Sequence, residues 1–133
     1  MKDKMSAEEV MNRRVESIKP DASVLDAIER ITALRIRSLV VEPDDKDNVY
    51  GVVTVRDIVF KCLAKRLDPK QVKVKDISTK PIVCVEKSMP LEHVLNLMEK
   101  FNIARVFVKD RNKVVGVISL MDAMTAFLMH RVK

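Results

Sequence analysis

The sequence contains no tryptophan, two glycines and two cysteines, and aromatic residues make up 4% of its 133 positions. Cys62 and Cys84 stand far apart and neither belongs to a C-x-x-C pair, so they indicate neither a disulfide framework nor a zinc site. We interpret both as buried thiols, because a free cysteine usually behaves as a small apolar residue. The shortage of aromatic residues favours a core of aliphatic side chains supplemented by the eight methionines.

No apolar run approaches the roughly 20 residues that a membrane-spanning helix needs. The charged N-terminal segment also lacks the apolar stretch of a secretion signal, so we expect a cytoplasmic protein with no membrane partner. The length allows one domain or two very small ones. The net charge of +6 favours anionic partners such as phosphates, nucleotides, nucleic acid or an acidic protein surface, without choosing between them.

The two halves of the chain align with each other. After a shift of 67 positions, apolar residues fall on apolar residues from Ile18 on Val85 onward. Beyond the polar turn of residues 42–48 the shift becomes 65, and the heptapeptides 51–57 and 116–122 then align. Because a difference in turn length is well tolerated, this pattern indicates an internal repeat.

Each half predicts the element order β-α-β-β-α. Apolar residues with the three-and-four spacing of one helical face predict helices over 24–34 and 91–101. A last helix is predicted to begin at Asp57 and at Asp122. The predicted strands cover residues 15–18, 39–41, 49–53, 82–85, 106–108 and 114–118.

The fold class that follows is α/β (α+β), with two β-α-β-β-α repeats packed with pseudo-twofold symmetry. Neither repeat of about 60 residues buries its helices well alone, which is why we expect the two to pack together. The first repeat is predicted at residues 8–67 and the second at 72–130, after an N-terminal extension of residues 1–7.

The aligned heptapeptides share Gly, two apolar residues, a hydroxyl residue, two variable residues and Asp. In structural terms the Asp caps the helix that follows, as in a capping box, and the Gly permits a bulge or a close backbone approach. In functional terms, a helix start with a free hydroxyl binds an anion, and a nearby outward carboxylate accepts the hydroxyls of a ribose. Recurrence in both halves favours the functional interpretation, although duplication copies caps as well.

Two heptapeptides, Gly51-Val-Val-Thr-Val-Arg-Asp57 and Gly116-Val-Ile-Ser-Leu-Met-Asp122, carry a resemblance to a known family together with the strands 36–41 and 103–108. Over residues 8–130 the chain resembles a tandem pair of CBS domains, the cystathionine β-synthase-type repeat that forms a Bateman module. The resemblance implies a regulatory module without catalysis and without a required cofactor. It also implies AMP, ADP, ATP or S-adenosylmethionine as ligand, a homodimer, and an unknown regulated protein as partner.

The resemblance further implies two composite clefts, in which one repeat encloses the base and the other holds ribose and phosphate. Site A combines the residues Val15, Glu16, Ile36, Arg37, Arg105, Ser119 and Asp122. Site B combines the residues Ile82, Val83, Ile103, Ala104, Ser38, Thr54 and Asp57.

The two sites are not equal, because Arg105 of site A aligns with Ser38 of site B. A guanidinium suits a phosphate, so site A is better equipped for one. Lys80 either compensates in site B or is a solvated loop lysine, and Arg37 either reaches a phosphate or is an exposed strand-end cation. The hydroxyl-rich segment 78–81 favours site B, so the preferred cleft stays open. A single arginine compensates only part of the charge of three phosphates, which favours AMP or ADP over ATP.

Three other functions have less support in the sequence. Basic residues near the repeat junction and in the segment 130–133 are compatible with nucleic-acid binding, but the stacking aromatic residues that single-strand binders use are scarce. A ligand-independent scaffold for dimerisation is a second alternative, which the paired aspartates do not favour. An enzyme is not expected, because His93 and His130 belong to no known catalytic or metal-binding motif.

Overall fold

The structure of the protein, a computed structural model, describes residues 5–44, 46 and 48–132. Side chains from residue 130 onward lie outside this description, and so do the interpretation of His130 and the C-terminal part of the basic segment. Among the described residues, none of the helices has the length and apolar character needed to cross a bilayer.

Two compact units divide the chain, and they do not coincide with its two halves. The first-repeat unit comprises Glu16–Ile82. The second-repeat unit comprises the residues up to Val15 together with those from Val83 onward. Each unit contains one three-stranded sheet, which confirms the mixed α and β architecture. The predicted pseudo-twofold packing of the two repeats stays a prediction.

The first-repeat unit has the sheet order β1-β2-β3, with β1 parallel to β2 and β2 antiparallel to β3. A π-helical turn, Val59–Leu63, continues α3. The elements are β1 Ser17–Ile18, α2 Val24–Leu34, β2 Ser38–Val41, β3 Gly51–Thr54, α3 Val55–Ile58 and α4 Val74–Ile77.

The second-repeat unit repeats this arrangement, with the sheet order β4-β5-β6. Its antiparallel hairpin is longer, because Arg111 and Asn112 both take positive φ angles, 52° and 67°, and so close a tight turn. The elements are α1 Ala7–Val10, β4 Cys84–Glu86, α5 Leu91–Phe101, β5 Arg105–Asp110, β6 Lys113–Ser119 and α6 Leu120–Val132.

The two central helices, α2 and α5, are confirmed with their predicted bounds. Ser23 caps α2 by accepting a hydrogen bond from the N–H of Asp26 at 3.1 Å. Both helices end at a left-handed residue, Arg35 in α2 and Asn102 in α5. The six strands are also confirmed, with ends displaced by one or two residues from the predicted ones.

The prediction that the last helix of each repeat begins at the aspartate was wrong by two residues. α3 begins at Val55 and α6 at Leu120, directly after the hydroxyl residue of each heptapeptide. The hydroxyl residue, Thr54 in the first repeat, occupies the N-cap, and the aspartate follows in the first helical turn. The heptapeptide therefore forms a cap as predicted, with the hydroxyl residue and not the aspartate at the N-cap.

Two short helices, α1 and α4, were not predicted, and they lie 67 positions apart in the sequence. Ala7 of α1 and Met11 after it are buried in the core of the second-repeat unit. Val74 and Ile77 of α4 are buried in the core of the first-repeat unit. Each core is therefore completed by the segment that precedes the other repeat.

The same two segments add a backbone pairing to the third strand of each sheet. Asn12 exchanges hydrogen bonds of 2.8 and 3.0 Å with Val117 of β6. Thr79 exchanges two hydrogen bonds of 2.9 Å with Val52 of β3. Each sheet thus gains a fourth, single-residue partner at its edge.

The glycines lie where these segments cross the sheets. A Cβ atom on Gly116 would lie 2.7 Å from Cγ and 2.9 Å from Cβ of Met11, which is too close. A Cβ atom on Gly51 would lie 3.0 Å from the carbonyl oxygen of Thr79. Neither glycine has a positive φ angle, so it is close approach and not backbone conformation that requires them.

The cysteines follow the predicted interpretation in part. Cys62 is buried in the core of the first-repeat unit, whereas Cys84 on β4 is only half-buried. Burial raises the pKa of both thiols, so both are protonated at neutral pH and poorly reactive.

Candidate functional site

In the first-repeat unit, the end of β3 and the start of α3 form a reciprocal cap. The Asp57 N–H donates to the Thr54 hydroxyl oxygen at 3.1 Å, and the Thr54 N–H donates to Asp57 Oδ2 at 3.0 Å. The Thr54 hydroxyl also donates to Asp57 Oδ2 at 3.0 Å. This is a capping box in which aspartate replaces the usual glutamate.

The second-repeat unit builds the same cap at the end of β6. The Ser119 N–H donates to Asp122 Oδ2 at 2.8 Å, and the Asp122 N–H donates to the Ser119 hydroxyl oxygen at 3.1 Å. The structural interpretation of the heptapeptide is therefore confirmed in both repeats. Each carboxylate is held in one orientation, beside a hydroxyl group and at the positive end of a helix.

The start of the second strand lies against this cap in each unit. Ser38 opens β2 and pairs with Thr54, and Arg105 opens β5 and pairs with Ser119. The residue before each pair is tied to the helix start as well. The Val55 N–H donates to the Arg37 carbonyl oxygen at 3.0 Å.

The equivalent bond in the second-repeat unit runs from the Leu120 N–H to the Ala104 carbonyl oxygen at 3.1 Å. At this position the side chain of Arg37 is exposed, in agreement with a strand-end cation. Ile36 and Ile103, one residue earlier, are half-buried and pack against the two cores.

The structure thus brings five predicted residues of each repeat together at one end of a sheet. In the first-repeat unit these are Ile36, Arg37, Ser38, Thr54 and Asp57. In the second-repeat unit these are Ile103, Ala104, Arg105, Ser119 and Asp122.

Glu16 belongs to the same sheet in the first-repeat unit. Its carbonyl oxygen accepts a hydrogen bond from the Val40 N–H at 2.9 Å, one residue before β1 begins. Its carboxylate forms an ion pair with Arg30 of α2 at 3.3 Å, a contact that sequence analysis missed. Arg30 therefore orients the side chain of Glu16, a residue predicted to enclose the base of the ligand.

The remaining predicted residues lie where the chain passes from one unit to the other. The Ile82 N–H donates to the Tyr50 carbonyl oxygen at 3.3 Å, which places it by the start of β3, away from Thr54. The Val83 carbonyl oxygen accepts from the Phe107 N–H at 2.9 Å, beside β4. Val15 is half-buried and precedes Glu16, the first residue of the other unit. Because sites A and B each combine residues of both units, they stay predictions.

The surroundings of the two carboxylates differ. Lys61 Nζ lies 3.1 Å from Asp57 Oδ1, and the Asp57 side chain is only 13% exposed. Four residues after Asp122 the chain has Ala126, and within the described part of the chain Asp122 forms no ion pair. Sequence analysis missed this pair, although the i,i+4 spacing of Asp57 and Lys61 is typical of an ion pair on a helix.

Within the described residues, the His, Cys, Asp and Glu side chains form no cluster of three or more suited to a metal ion. The polar groups at the sheet ends are a hydroxyl, a carboxylate and helix-start N–H groups, which suit hydroxyl-bearing and anionic ligands.

Comparison with known proteins gives relatives over most of the chain. The chain is 34% identical over 117 residues to the inosine-5'-monophosphate dehydrogenase of Methanocaldococcus jannaschii, covering 87% of this chain and 22% of that enzyme. It is 29% identical to an uncharacterized protein of Methanopyrus kandleri, covering 89% of this chain and 60% of that protein. The chain therefore spans less than two thirds of both of these relatives.

The solved structures include a hexameric CBS-CP12 protein from bloom-forming cyanobacteria. It matches with a TM-score of 0.79 and 35% identity, covering 90% of this chain and 69% of that one. The family model described as CBS domain matches residues 7–63 and again residues 74–129. The chain therefore belongs to the CBS domain family and carries two CBS domains in tandem.

Proposed function

We propose that this CBS pair is a regulatory module that binds an adenine nucleotide, AMP or ADP in preference to ATP, and transmits the bound state to a partner protein. Tandem CBS domains are regulatory modules that often bind adenosine-containing ligands. The observation that supports binding here is the pair of matching caps, in which Asp57 and Asp122 are each fixed beside a hydroxyl group. A carboxylate accepts hydrogen bonds from both hydroxyls of a ribose, and the hydroxyl and N–H groups beside it suit a phosphate.

Arg105 supports a preference between the two heptapeptides. It is half-buried at the start of β5, directly opposite Ser119, where its guanidinium serves a phosphate held near the Asp122 cap. Ser38 has the same position in the first repeat and carries no charge. The Asp122 heptapeptide is therefore proposed as the stronger phosphate-binding one, and a single guanidinium there favours one or two phosphates over three.

Chemical catalysis by the chain itself is not part of the proposal. His93 is exposed on the outer side of α5, and the pKa of each thiol is raised by burial. This chain covers 22% of the length of the dehydrogenase relative, so the likeness does not support dehydrogenase activity for this chain.

Thermal shifts with a panel of ligands test the proposal. AMP, ADP, ATP, S-adenosylmethionine, NAD and a short DNA duplex are each added to the wild type, to D57A/D122A and to the control D26A. A ligand at about 100 times its dissociation constant stabilises by roughly 2.7 kcal/mol, which raises the midpoint by several degrees. Asp26 is an exposed carboxylate in the first turn of α2, so D26A removes one helix-start carboxylate outside the heptapeptides.

We expect AMP or ADP to stabilise the wild type and D26A but not D57A/D122A. Stabilisation by S-adenosylmethionine or DNA alone would replace the adenine nucleotide with that ligand. If no ligand at millimolar concentration shifts the midpoint of the wild type, the nucleotide proposal is wrong and a ligand-independent scaffold replaces it.

We also propose that the chain forms a homodimer through α6. This helix exposes six large apolar side chains, each between 55% and 67% accessible: Leu120, Met121, Met124, Phe127, Leu128 and Met129. Side chains of this size together leave on the order of 600 Å² of apolar surface, at the upper end of the usual monomer patch and approaching the ~800 Å² per partner of a standard interface. These six exposed side chains carry no charge, so an apolar surface like their own is the matching partner.

Self-association of relatives supports this proposal, because the CBS-CP12 structure is hexameric. The test is the mass in solution of the wild type, F127E and the control F101E, by sedimentation equilibrium. Phe101 is also exposed but ends α5, outside the apolar surface of α6. We expect a dimer for the wild type and F101E and a monomer for F127E. A wild-type monomer, or an unchanged dimer in F127E, would rule out α6 as the interface.

A further inference from the structure

Lys61 forms an ion pair with the Asp57 carboxylate, the group of the first heptapeptide that is proposed to bind a ligand. Asp57 Oδ2 already accepts hydrogen bonds from the N–H and the hydroxyl of Thr54, both at 3.0 Å. The other oxygen, Oδ1, lies 3.1 Å from Lys61 Nζ. Both oxygens of Asp57 are therefore engaged by the protein itself.

A second contact holds the ammonium group in this place. Lys61 Nζ donates to the carbonyl oxygen of Ile77 at 3.2 Å, at the C-terminal end of α4. The lysine thus spans from the start of α3 to the last carbonyl groups of a neighbouring helix, where a cation is favoured. Its side chain is 46% exposed, so the ammonium group is also reachable from solvent.

The second heptapeptide has no such lysine. Ala126 stands at the position equivalent to Lys61, and Val10 stands at the position equivalent to Ile77. Asp122 Oδ2 accepts the cap hydrogen bond from Ser119. Within the described residues no cation approaches its carboxylate to ion-pair distance, which leaves the second oxygen to a ligand.

A ligand that binds the Asp57 carboxylate displaces Lys61 from its ion pair. A ribose and a phosphate differ in whether they compensate the charge of the displaced ammonium group. A sugar diol donates hydrogen bonds to a carboxylate, but it carries no charge that compensates an ammonium group losing its partner. A phosphate in the same ligand supplies an anion, so the ammonium group exchanges one ion pair for another.

From this difference, and resting on the proposed nucleotide function, we infer that Lys61 is a specificity-determining residue. It closes the Asp57 carboxylate to nucleosides without a phosphate, and it admits nucleotides whose phosphate draws the ammonium group away. Asp122, with no such lysine, accepts the sugar of either class of ligand.

The expected size of the effect follows from the exposure of the pair. A half-exposed lysine with a largely buried carboxylate contributes somewhat more than a surface ion pair, so its removal changes affinity about three- to tenfold. The direction is specific: removal of the ammonium group strengthens the binding of adenosine and does not strengthen the binding of AMP.

Calorimetric titration with adenosine and with AMP tests this inference. All variants carry D122A, so that Asp57 is the remaining heptapeptide carboxylate. To this background we add K61M, which keeps the apolar stem, K61R, which keeps the charge, and the control K65M. Lys65 is exposed four residues after Lys61, so K65M removes the same charge from the same surface.

We expect K61M to bind adenosine about three- to tenfold more tightly than the background and K65M, and AMP no more tightly. K61R is expected to retain the discrimination of the background. Equal ratios of adenosine to AMP affinity in K61M and K65M would overturn the inference, even if the wild type binds AMP.

The outcome is decisive in the other cases as well. If D122A binds neither ligand and K61M/D122A binds adenosine, the lysine closes the site to both ligands, and the claim that a phosphate displaces it is wrong. If no variant binds either ligand, the inference falls. The wild type then decides the proposed function separately, because binding of AMP to the wild type keeps that proposal and its absence removes it.

Discussion

The two heptapeptides share their caps and differ in the charges around them. The reciprocal backbone hydrogen bonds of Thr54 and Asp57 match those of Ser119 and Asp122, with bonds to the carboxylate of 3.0 and 2.8 Å, and the first cap adds a bond from the Thr54 hydroxyl to Asp57. The first repeat, however, places its cation on the helix, at Lys61, and the second places it on the strand, at Arg105. Duplication has kept the residues that satisfy the backbone and has changed those that surround the carboxylates.

The segments that precede the two repeats show a similar division. α1 and α4 occupy equivalent positions, and each is followed by one residue that pairs with the third strand of a sheet. The residue that covers the glycine differs, because Met11 is buried against Gly116 whereas the backbone of Thr79 approaches Gly51. The second-repeat unit therefore depends on a distant side chain where the first depends on backbone atoms.

Met11→Ala breaks this comparison most strongly. Met11 is 8% exposed in the core of the second-repeat unit, so its truncation costs about 2–3 kcal/mol of unfolding free energy. Ser78, the equivalent position, is outside the core, and Ser78→Ala is expected to cost less than about 0.5 kcal/mol. Urea denaturation measures both, and amide exchange at Val117 shows which unit is loosened. Equal effects of the two substitutions would contradict the assignment of Met11 to that core.

Alanine at the glycines gives the next largest difference. Gly116→Ala pushes its Cβ into Met11 and is expected to cost about 1–3 kcal/mol. Gly51→Ala meets the Thr79 carbonyl oxygen at 3.0 Å and the Lys80 Cβ at 3.3 Å, both farther away than the Met11 atoms at Gly116, so a smaller cost is expected. The double variant M11A/G116A removes the contacts with Sδ and Cγ of Met11 and leaves the contact with its Cβ, so its total cost falls below the sum of the two single costs. Strict additivity in denaturation experiments would show that the glycine does not serve the methionine.

The caps are expected to be equal. Thr54→Ala and Ser119→Ala each remove an N-cap oxygen and cost about 1 kcal/mol. Thermal denaturation measures both costs, and each alanine variant serves as the control for the other. A difference well above 0.5 kcal/mol, on the scale of a whole cap, would mean that the two heptapeptides are not stabilised alike.

The smallest expected effect depends on pH. A hydrogen bond from Lys75, the charge of Lys75 and that of Lys73 lower the pKa of Asp21 below its usual value. The carboxylate therefore stabilises the fold above the unfolded-state pKa of about 3.9, and this stabilisation is lost as pH falls through the lowered value. Asp21→Asn should lower the thermal midpoint slightly at neutral pH and not in strong acid, with exposed Glu29→Gln as control. Ser88 is the equivalent residue, so the second repeat lacks this contribution. An Asp21→Asn effect that does not change with pH would contradict it.

Much of the fold was predictable because its signals are local. The periodicity of α2 and α5, the repeat of 67 positions and the alternation of the strands all appear within short windows. The helices α1 and α4 were not predicted, because four residues carry too little periodicity. Ser6 and Glu9 nevertheless have the sequence spacing of the capping box that they form at the start of α1. That α1 packs on the second repeat is a long-range contact, which no local pattern of the first repeat contains.

In the candidate site, too, some features were predictable from the sequence and others were not. Asp57 and Asp122 were predicted from the heptapeptides, and the structure places each beside its predicted hydroxyl residue. The start of the last helices was misplaced, because the N-cap and the third helical residue look alike in the pattern T-x-x-D. The contacts of Lys61 and of Arg30 were missed, since the direction of a long side chain depends on the neighbouring elements.

The affinity of AMP for Asp122→Ala, measured by calorimetric titration beside the wild type and Asp26→Ala, tests the central claim most directly. A carboxylate that binds both ribose hydroxyls contributes charge-assisted hydrogen bonds, so its loss weakens the tighter site at least about tenfold. We predict this loss for Asp122→Ala and an unchanged affinity for Asp26→Ala. The same AMP affinity in all three proteins would contradict the account, because the repeated aspartate would then be a helix cap and nothing more.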